Sequence, residues 1–383
     1  MKIAIDARIL KTGIGNYTKS LIGELVNILS PDDQLTIFLR GEDFDVFPDT
    51  NQKVKKVAVN IKPYSLSEQL IFPFILLREN PDLVHFTTFN IPILWWRKYV
   101  VTIHDLIHLK HSTFGNVTQN YLYYLFKKLI YVFVIKWVTF RAKIVVTDSF
   151  ATKNDLINTL KVNHKKIKVI HLAGSSHLNP INVSIEDNHV ILTKYGIVKP
   201  YLLYTATMYP HKNHERLLKA FQIIQNQRPN LNLVLVGKMD NLSTRIKNKT
   251  IEMGLENSVI FPNYQVENGY IPDKDLAVLY QNAQIYVFPS LLEGFGIPIL
   301  EAQEYKLPVI AANIDCLREI GKDSILYFDP YSIEDIAKQI LDLLNDKNKY
   351  QDLIYRGLEN IKLFSWQKVA GETLRVYNSL INK

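Results

Sequence analysis

The chain is poor in cysteine: Cys316 is the only one in 383 residues. An intrachain disulfide and a cysteine-built metal site are thereby excluded, and a reducing compartment is favoured. The amino end lacks an apolar run, since Lys2, Asp6 and Arg8 place charges where a secretory signal carries none. The most membrane-like stretch, Tyr121 to Val138, is interrupted by Lys127, Lys128 and Lys136 and does not read as a span. The expectation is a cytoplasmic protein, soluble or attached to a surface. Zinc-finger spacing and an aromatic RNP signature are also missing, so no nucleic acid is expected as a partner.

What is present is an ordinary folded composition, 47% hydrophobic and 21% charged, at a length that one core rarely serves. The formal net charge of +8 is unevenly placed: residues 51–180 hold 18 Lys+Arg against 6 Asp+Glu. Such asymmetry concerns partners more than fold, and points to a phosphorylated acceptor or an anionic membrane. Trp95-Trp96-Arg97-Lys98 and Tyr121-Leu122-Tyr123-Tyr124-Leu125-Phe126-Lys127-Lys128 lie in this region. Aromatic rings beside lysines suit the headgroup boundary, so these segments are expected to carry any docking on an anionic membrane. The rest of Tyr121–Phe140 is expected to be an interior helix, apolar because it is buried.

Short apolar runs alternate with amphipathic stretches from end to end, the mark of parallel α/β units. Lys2–Asp6, Gln34–Leu39, Leu83–Thr87, Tyr99–Ile103 and Ile144–Thr147 read as buried strands. The pattern restarts with Tyr201–Thr205, Leu231–Val236, Val259–Phe261, Ile285–Phe288, Val309–Ala311 and Ile325–Phe328. Helices are expected over Tyr17–Leu29, Ser67–Leu77, His214–Gln225, Asp273–Gln281, Pro298–Tyr305 and Ser332–Asn345. The fold class is α/β, with two doubly wound, Rossmann-like parallel-sheet domains at residues 1–175 and 190–364. Between them, about 172–199, lies an unperiodic linker containing Gly174-Ser175-Ser176-His177-Leu178-Asn179-Pro180. Ligands of such sheets bind beyond the carboxyl ends of the strands, so the chemistry is expected in a cleft lined by βα loops.

Four segments at such ends carry candidate residues. In Glu293-Gly294-Phe295-Gly296-Ile297-Pro298-Ile299-Leu300-Glu301, a strand gives way to a two-glycine loop and then to a helix that Pro298 suits at its first position. Glycines admit a ligand close to the backbone, and a helix start offers amides and partial positive charge, a seat for a diphosphate. Read as one helix, Glu293 and Glu301 would be about 12 Å apart, wider than the roughly 5–9.5 Å of a glycosidase pair. Thr12-Gly13-Ile14-Gly15-Asn16-Tyr17 has Thr18 where a dinucleotide fingerprint needs a third glycine; a loop approaching a phosphate or acceptor fits better. His104 follows a buried strand, and Lys212 in Tyr209-Pro210-His211-Lys212-Asn213 could meet a phosphate. Singly, a histidine is more often a satisfied polar residue and a lysine a solvated one, though standing at a strand's carboxyl end raises the functional reading of His104.

In order along the chain, Ile5-Asp6-Ala7-Arg8 with Gly13 and Gly15, His104-Asp105-Leu106, Val146-Thr147-Asp148-Ser149, Lys212-Asn213, Gly237-Lys238, the E-x7-E element and Phe364-Ser365-Trp366 resemble the GT-B retaining glycosyltransferases, in the family 4-like group that includes mannosyltransferases of surface polysaccharides. The resemblance implies that Glu293 meets the donor sugar, Glu301 the ribose, and Lys212 the diphosphate. It implies that amides of Phe295, Gly296 and Ile297 hold the sugar and His104 lies at the reacting centre, while the Gly13–Gly15 loop closes over the ligands. A front-face displacement needing neither metal nor cofactor is implied too, as is a final helix, 365–383, returning to the first domain. The arginines that many relatives carry near the lysine are absent, so Lys212 is expected to work without one or with Lys238 as helper. Tyr305-Lys306-Leu307 replaces a small Cys-Gly-Thr, and Pro262–Asn268 is enlarged.

The expected partners are thus a nucleotide-diphosphate sugar, GDP-mannose favoured, and a glycan or lipid-linked acceptor. The competing readings are a GT-B protein that binds without transfer, a donor epimerase, and a basic nucleic-acid binder.

Overall fold

The computed structural model describes residues 1–10, 13–47, 53–110, 121–175 and 185–381, with the side chains of 121–124 and 185–187 outside that description. Thr12, the Ser176–Pro180 part of the linker and the rings of Tyr121, Tyr123 and Tyr124 therefore lie outside the described residues. Two compact units are present: Met1–Leu172 with Ser365–Lys383, and Ala173–Phe364.

The first unit contains seven strands, β1 (Lys2–Asp6), β2 (Gln34–Leu39), β3 (Val54–Ala58), β4 (Leu83–Phe86), β5 (Tyr99–Thr102), β6 (Ile144–Thr147) and β7 (Ile167–Val169), in the order β3-β2-β1-β4-β5-β6-β7. The second contains β8 (Tyr201–Thr205), β9 (Asn232–Val236), β10 (Val259–Ile260), β11 (Ile285–Phe288), β12 (Val309–Ala312) and β13 (Leu326–Phe328), in the order β10-β9-β8-β11-β12-β13. Every pairing is parallel. Central strands buried on both faces, such as Ile-Tyr-Val-Phe of β11 and Val-Ile-Ala-Ala of β12, read as continuous apolar runs. The edge strands β3 and β7 do not. Val54-Lys55-Lys56-Val57-Ala58 keeps part of its surface in water and carries two lysines, and Ile167-Lys168-Val169 is three residues long.

The expected Ser67–Leu77 helix is two, Leu66–Leu70 and Phe72–Glu79, broken at Ile71 with Pro73 in the first turn of the second. The linker is not irregular throughout, because Ile185–Lys194 is helical. In the first unit the Trp366–Ile381 helix packs on the Gly13–Ile28 helix, and Tyr377 donates its hydroxyl proton toward, or accepts one from, His85 Nδ1 at 2.6 Å.

Two expectations about the basic region fail. Trp95 is 1% exposed and belongs to the core, whereas Trp96 is exposed. The Tyr121–Arg141 helix is not an interior one: from Leu125 onward only Ile135, Val138 and Thr139 are buried, and Phe140 is 72% exposed. An apolar composition suggests burial on most sides, but one narrow face suffices to dock this helix. No helix among the described residues is long and apolar enough to cross a membrane.

Gly13 and Gly15 lie in the first turn of the Gly13–Ile28 helix. A Cβ on Gly15 would stand 1.9 Å from the carbonyl oxygen of Leu10, so the chain entering the helix leaves room for glycine alone. Gly23, exposed on the same helix, has nothing within 4 Å of a Cβ. Gly15→Ala should therefore destabilise by about 1–3 kcal/mol, through a forced backbone shift, while Gly23→Ala should stabilise by about 1 kcal/mol. Thermal denaturation of the two variants checks this; equal effects of one sign would contradict it.

Candidate functional site

In the second unit the chain winds outward from β8 through β9 to β10, then returns to the other side of β8 as β11. The strand order reverses between β8 and β11, where the loops beyond the carboxyl ends part and leave room for a ligand. Lys212 follows β8 and Glu293 follows β11. The two loops are laced together. Tyr204 donates to the Lys212 carbonyl (3.0 Å) and its oxygen lies 3.0 Å from Ser290 Oγ, while the Leu291 amide donates to the His211 carbonyl (2.7 Å). Asn213, in the left-handed region at φ 63°, donates its amide to the carbonyls of Pro289 (3.1 Å) and Pro330 (2.8 Å). Held in this way, Lys212 Nζ lies 2.6 Å from Glu293 Oε1, with side chains only 17% and 11% exposed. Water screens such a pair little, and removing either partner would strand the other charge.

Gly296 turns the chain at φ 111° into the Ile297–Glu304 helix, and a Cβ there would sit 2.8 Å from Leu317 Cδ2. Pro298 is the second helical residue, one later than expected. The Phe295 carbonyl accepts from the thiol of Cys316 at 3.0 Å, which gives the only cysteine a structural place. Glu301 is buried and accepts hydrogen bonds from the hydroxyls of Ser175 and Tyr280, the latter at 2.9 Å. Tyr280 and Tyr286 both reach Thr205 Oγ1, at 2.9 and 2.8 Å, so Glu301 is tied to the end of β8. Glu304, one turn further, abuts Gly174, and burial together with the charge of Glu301 raises its carboxyl to about 7. Its Oε2 has no hydrogen-bond partner. Lys238 is exposed past β9, after Gly237, whose Cβ would lie 2.2 Å from the Ala206 carbonyl oxygen. The Gly237 amide donates to Asn263 at 3.0 Å, tying down the Pro262–Gln265 turn of the enlarged segment.

In the first unit the order reverses between β1 and β4. Arg8, just past β1, is buried between Asp6 (2.8 and 2.7 Å) and Glu68 (2.6 Å) and lies over the ring of Phe72. His104 follows β5, between Thr87 past β4 and Asp148 past β6. Its Nδ1 is 2.6 Å from Asp148 Oδ2, its Nε2 is 3.1 Å from the Thr87 carbonyl, and Tyr17 meets it edge-on at 4.8 Å. A carbonyl and a carboxylate only accept, so both ring nitrogens carry protons whenever Asp148 is ionised. Burial alone would lower the His104 pKa, but Asp148, with Asp105 and the Thr87 carbonyl, outweighs it and the net shift is upward. Burial pushes Asp148 up despite the imidazole. His85, one layer deeper, is the opposite case: burial, and the charge on His104, lower it to about 3.

The structure therefore joins Lys212 to Glu293 and sets Glu301 apart among hydroxyls, with Phe295, Gly296 and Ile297 between the two glutamates in the chain. Asp148, Tyr280, Ser175 and Glu304 were not singled out as site residues. Asp148 had a usable signal, a carboxylate immediately after a buried strand; Ser175 and Tyr280 come from distant segments and had none.

The family profile for glycosyl transferases group 1 matches residues 192–360, and that for Glycosyltransferase Family 4 matches residues 12–173. O-antigen chain mannosyltransferase B of Escherichia coli is 28% identical over 399 aligned residues, covering 99% of this chain and all of that protein. The O-antigen chain mannosyltransferase RfbU of Salmonella typhimurium is 26% identical, over 78% of this chain and 76% of that one. Among solved structures, Anabaena HepE in complex with UDP and glucose superimposes with a TM-score of 0.75 at 17% identity, over 99% of this chain and all of that one. That likeness is one of fold, two parallel-sheet α/β domains of the GT-B kind. With its two halves matched by the two profiles and its E-x7-E element seated beyond β11, the chain belongs to the GT-B glycosyltransferases of the family 4-like, E-x7-E group.

Proposed function

We propose that this glycosyltransferase moves mannose from GDP-mannose to a glycan or lipid-linked acceptor in surface polysaccharide synthesis, retaining the anomeric configuration and without a metal. The observation that carries the reading is the shielded Lys212–Glu293 pair at the reversal of strand order, beside the start of the Ile297–Glu304 helix. A diphosphate arriving there would meet an ammonium group and a helix start, which together offset its charge. Glu293 would then face the sugar hydroxyls, and Glu301 would accept from the ribose. Lys238, Gly13 and Gly15 are proposed as auxiliary donor contacts. The names of the relatives support mannose and surface polysaccharide. UDP bound to HepE is the observation that favours a uridine donor as the second reading.

In the proposed step the acceptor oxygen bonds to the anomeric carbon on the face from which the diphosphate leaves. The bond from that carbon to the phosphate oxygen breaks, and the acceptor proton passes to the departing phosphate. No side chain forms a covalent intermediate. The protein contributes position and field. His104, charged when Asp148 is ionised, would sit close to the reacting centre. The reaction is placed at the inner face of a membrane, where lipid-linked acceptors lie; the basic excess of residues 51–180 supports this.

The decisive experiment supplies labelled GDP-mannose or UDP-glucose with EDTA present and reads the product's anomeric configuration by NMR. Transfer should persist with GDP-mannose and give the α-linked product. Loss of activity on chelation, restored by magnesium or manganese, would reject the metal-free scheme, and transfer from the uridine donor alone would reject the mannose assignment.

Glu293→Gln should cut turnover at least 100-fold, roughly 3 kcal/mol of transition-state stabilisation, and leave nucleoside diphosphate affinity nearly unchanged. Glu301→Ala should instead weaken nucleotide binding by about 0.5–1.5 kcal/mol, less than a full charged hydrogen bond because the ribose hydroxyl replaces that of Ser175, measured by calorimetry. Unchanged binding in Glu301→Ala would dismiss the ribose assignment.

The His104–Asp148 pair gives stability a pH signature. Both groups have folded pKa values above their unfolded ones, so the folded state binds more protons and the pair's contribution declines as pH rises. The histidine part is complete below about pH 6.5 and disappears as pH passes its raised value. The melting-temperature gap between the wild type and His104→Gln/Asp148→Asn should be widest in acid and narrow through neutral to alkaline pH. A constant gap would refute the pairing.

A further inference from the structure

The outer face of the Tyr121–Arg141 helix is the least expected surface of the first unit. Phe126, Leu129, Ile130, Phe133, Trp137 and Phe140 are between 38% and 72% exposed. At about 100° per residue these six fall within an arc of about 100°, and the buried Ile135, Val138 and Thr139 lie opposite. The helix thus carries two apolar faces, and only one is used by its own domain. Lys136 flanks the outer stripe on one side and Arg141 on the other. A contiguous apolar stripe of this size marks a surface that something covers.

Beside the stripe is an open groove of about 640 Å³, walled by Phe133, Trp137, Phe140 and Val162. Lys136, Lys161 and Lys166 stand around it. Lys166 donates to the Phe140 carbonyl (2.7 Å), and burial, with Lys143 nearby, lowers its pKa. Trp137 Nε1 donates to the Ile93 carbonyl (3.2 Å) and Arg141 to the Trp96 carbonyl (3.4 Å), so the exposed Leu94 and Trp96 extend the same surface.

Charge decides the occupant. Between Leu106 and Thr147 the sequence has no Asp or Glu and six Lys or Arg. Protein–protein interfaces are depleted in lysine, whereas helices lying in a membrane interface combine Trp, Phe and Leu with flanking lysine. We infer that this face seats the chain on an anionic lipid bilayer: the stripe enters the boundary between headgroups and acyl chains, and the lysine-edged groove takes a lipid phosphate. The inference deepens the membrane placement proposed above and does not depend on which sugar is transferred.

The test is co-sedimentation of the full chain with vesicles of phosphatidylcholine alone or mixed with phosphatidylglycerol, at low and high salt. The wild type should bind the mixed vesicles at low salt, release in high salt, and ignore the neutral ones. Phe133→Ser/Phe140→Ser and Lys136→Glu/Lys161→Glu change exposed side chains, so folding should persist, checked by circular dichroism. Each should bind mixed vesicles at least about tenfold more weakly, the first because two apolar rings no longer enter the interface and the second because it reverses two basic groups that each add about 1 kcal/mol. Transfer to a soluble acceptor should be unchanged, which separates a failure of docking from a failure of catalysis. Three results would overturn the inference: no binding to the mixed vesicles, undiminished binding by both variants, or a wild-type dimer that Phe133→Ser/Phe140→Ser turns into a monomer, which would assign the stripe to a second copy of the chain.

Discussion

The contact on which the second unit's arrangement turns is the 2.6 Å ion pair between Lys212 and Glu293. It joins the two strands between which the sheet changes direction, and the surrounding hydrogen bonds of Tyr204, Asn213 and Leu291 hold the loops at the spacing the pair needs. A lysine and a glutamate this shielded repay their lost hydration only with good geometry. Parallel strands supply that geometry by sending β8 and β11 out of the sheet side by side. Each charge holds the other until a ligand competes for one of them.

The first unit solves a similar problem with different groups. Past β1, Arg8 is enclosed by two carboxylates, and past β5, His104 is gripped by Asp148 and a carbonyl. Both clusters sit where polar atoms must leave a buried sheet, and each draws partners from the ends of strands or from the Leu66–Leu70 helix, although Arg8 Nη1 and Asp148 Oδ1 keep no hydrogen-bond partner. His85 shows what the same imidazole becomes without a carboxylate: buried beside Thr102 and Tyr377, it is driven toward neutrality.

Much of this was legible in the sequence. Central strands were visible because burial on both faces demands long apolar runs, and Glu293, His104 and Lys212 were candidates because they lie in the loops after such runs, while Glu301, inside the following helix, was marked by its spacing from Glu293. The edge strands of the first sheet escaped for the converse reason: Lys55 and Lys56 are compatible with β3 only because it has a solvated side. The Tyr121–Arg141 helix misled because composition reports how apolar a segment is and not which neighbour covers it. Partners such as Ser175 for Glu301 are set by the folding of remote segments, for which spacing along one chain carries no information.

The Ser175 hydroxyl on Glu301 has a kinetic meaning. A buried carboxylate that already accepts from two protein hydroxyls gains little when a ligand's hydroxyl replaces one of them; its contribution is the difference between two similar alcohols. If a ribose takes the place of Ser175, the serine stands ready to take it back, and the leaving nucleotide abandons no unsatisfied charge. An exchange of this kind discriminates by shape while keeping residence short, which suits a catalyst that must discharge a spent nucleotide after every sugar it adds.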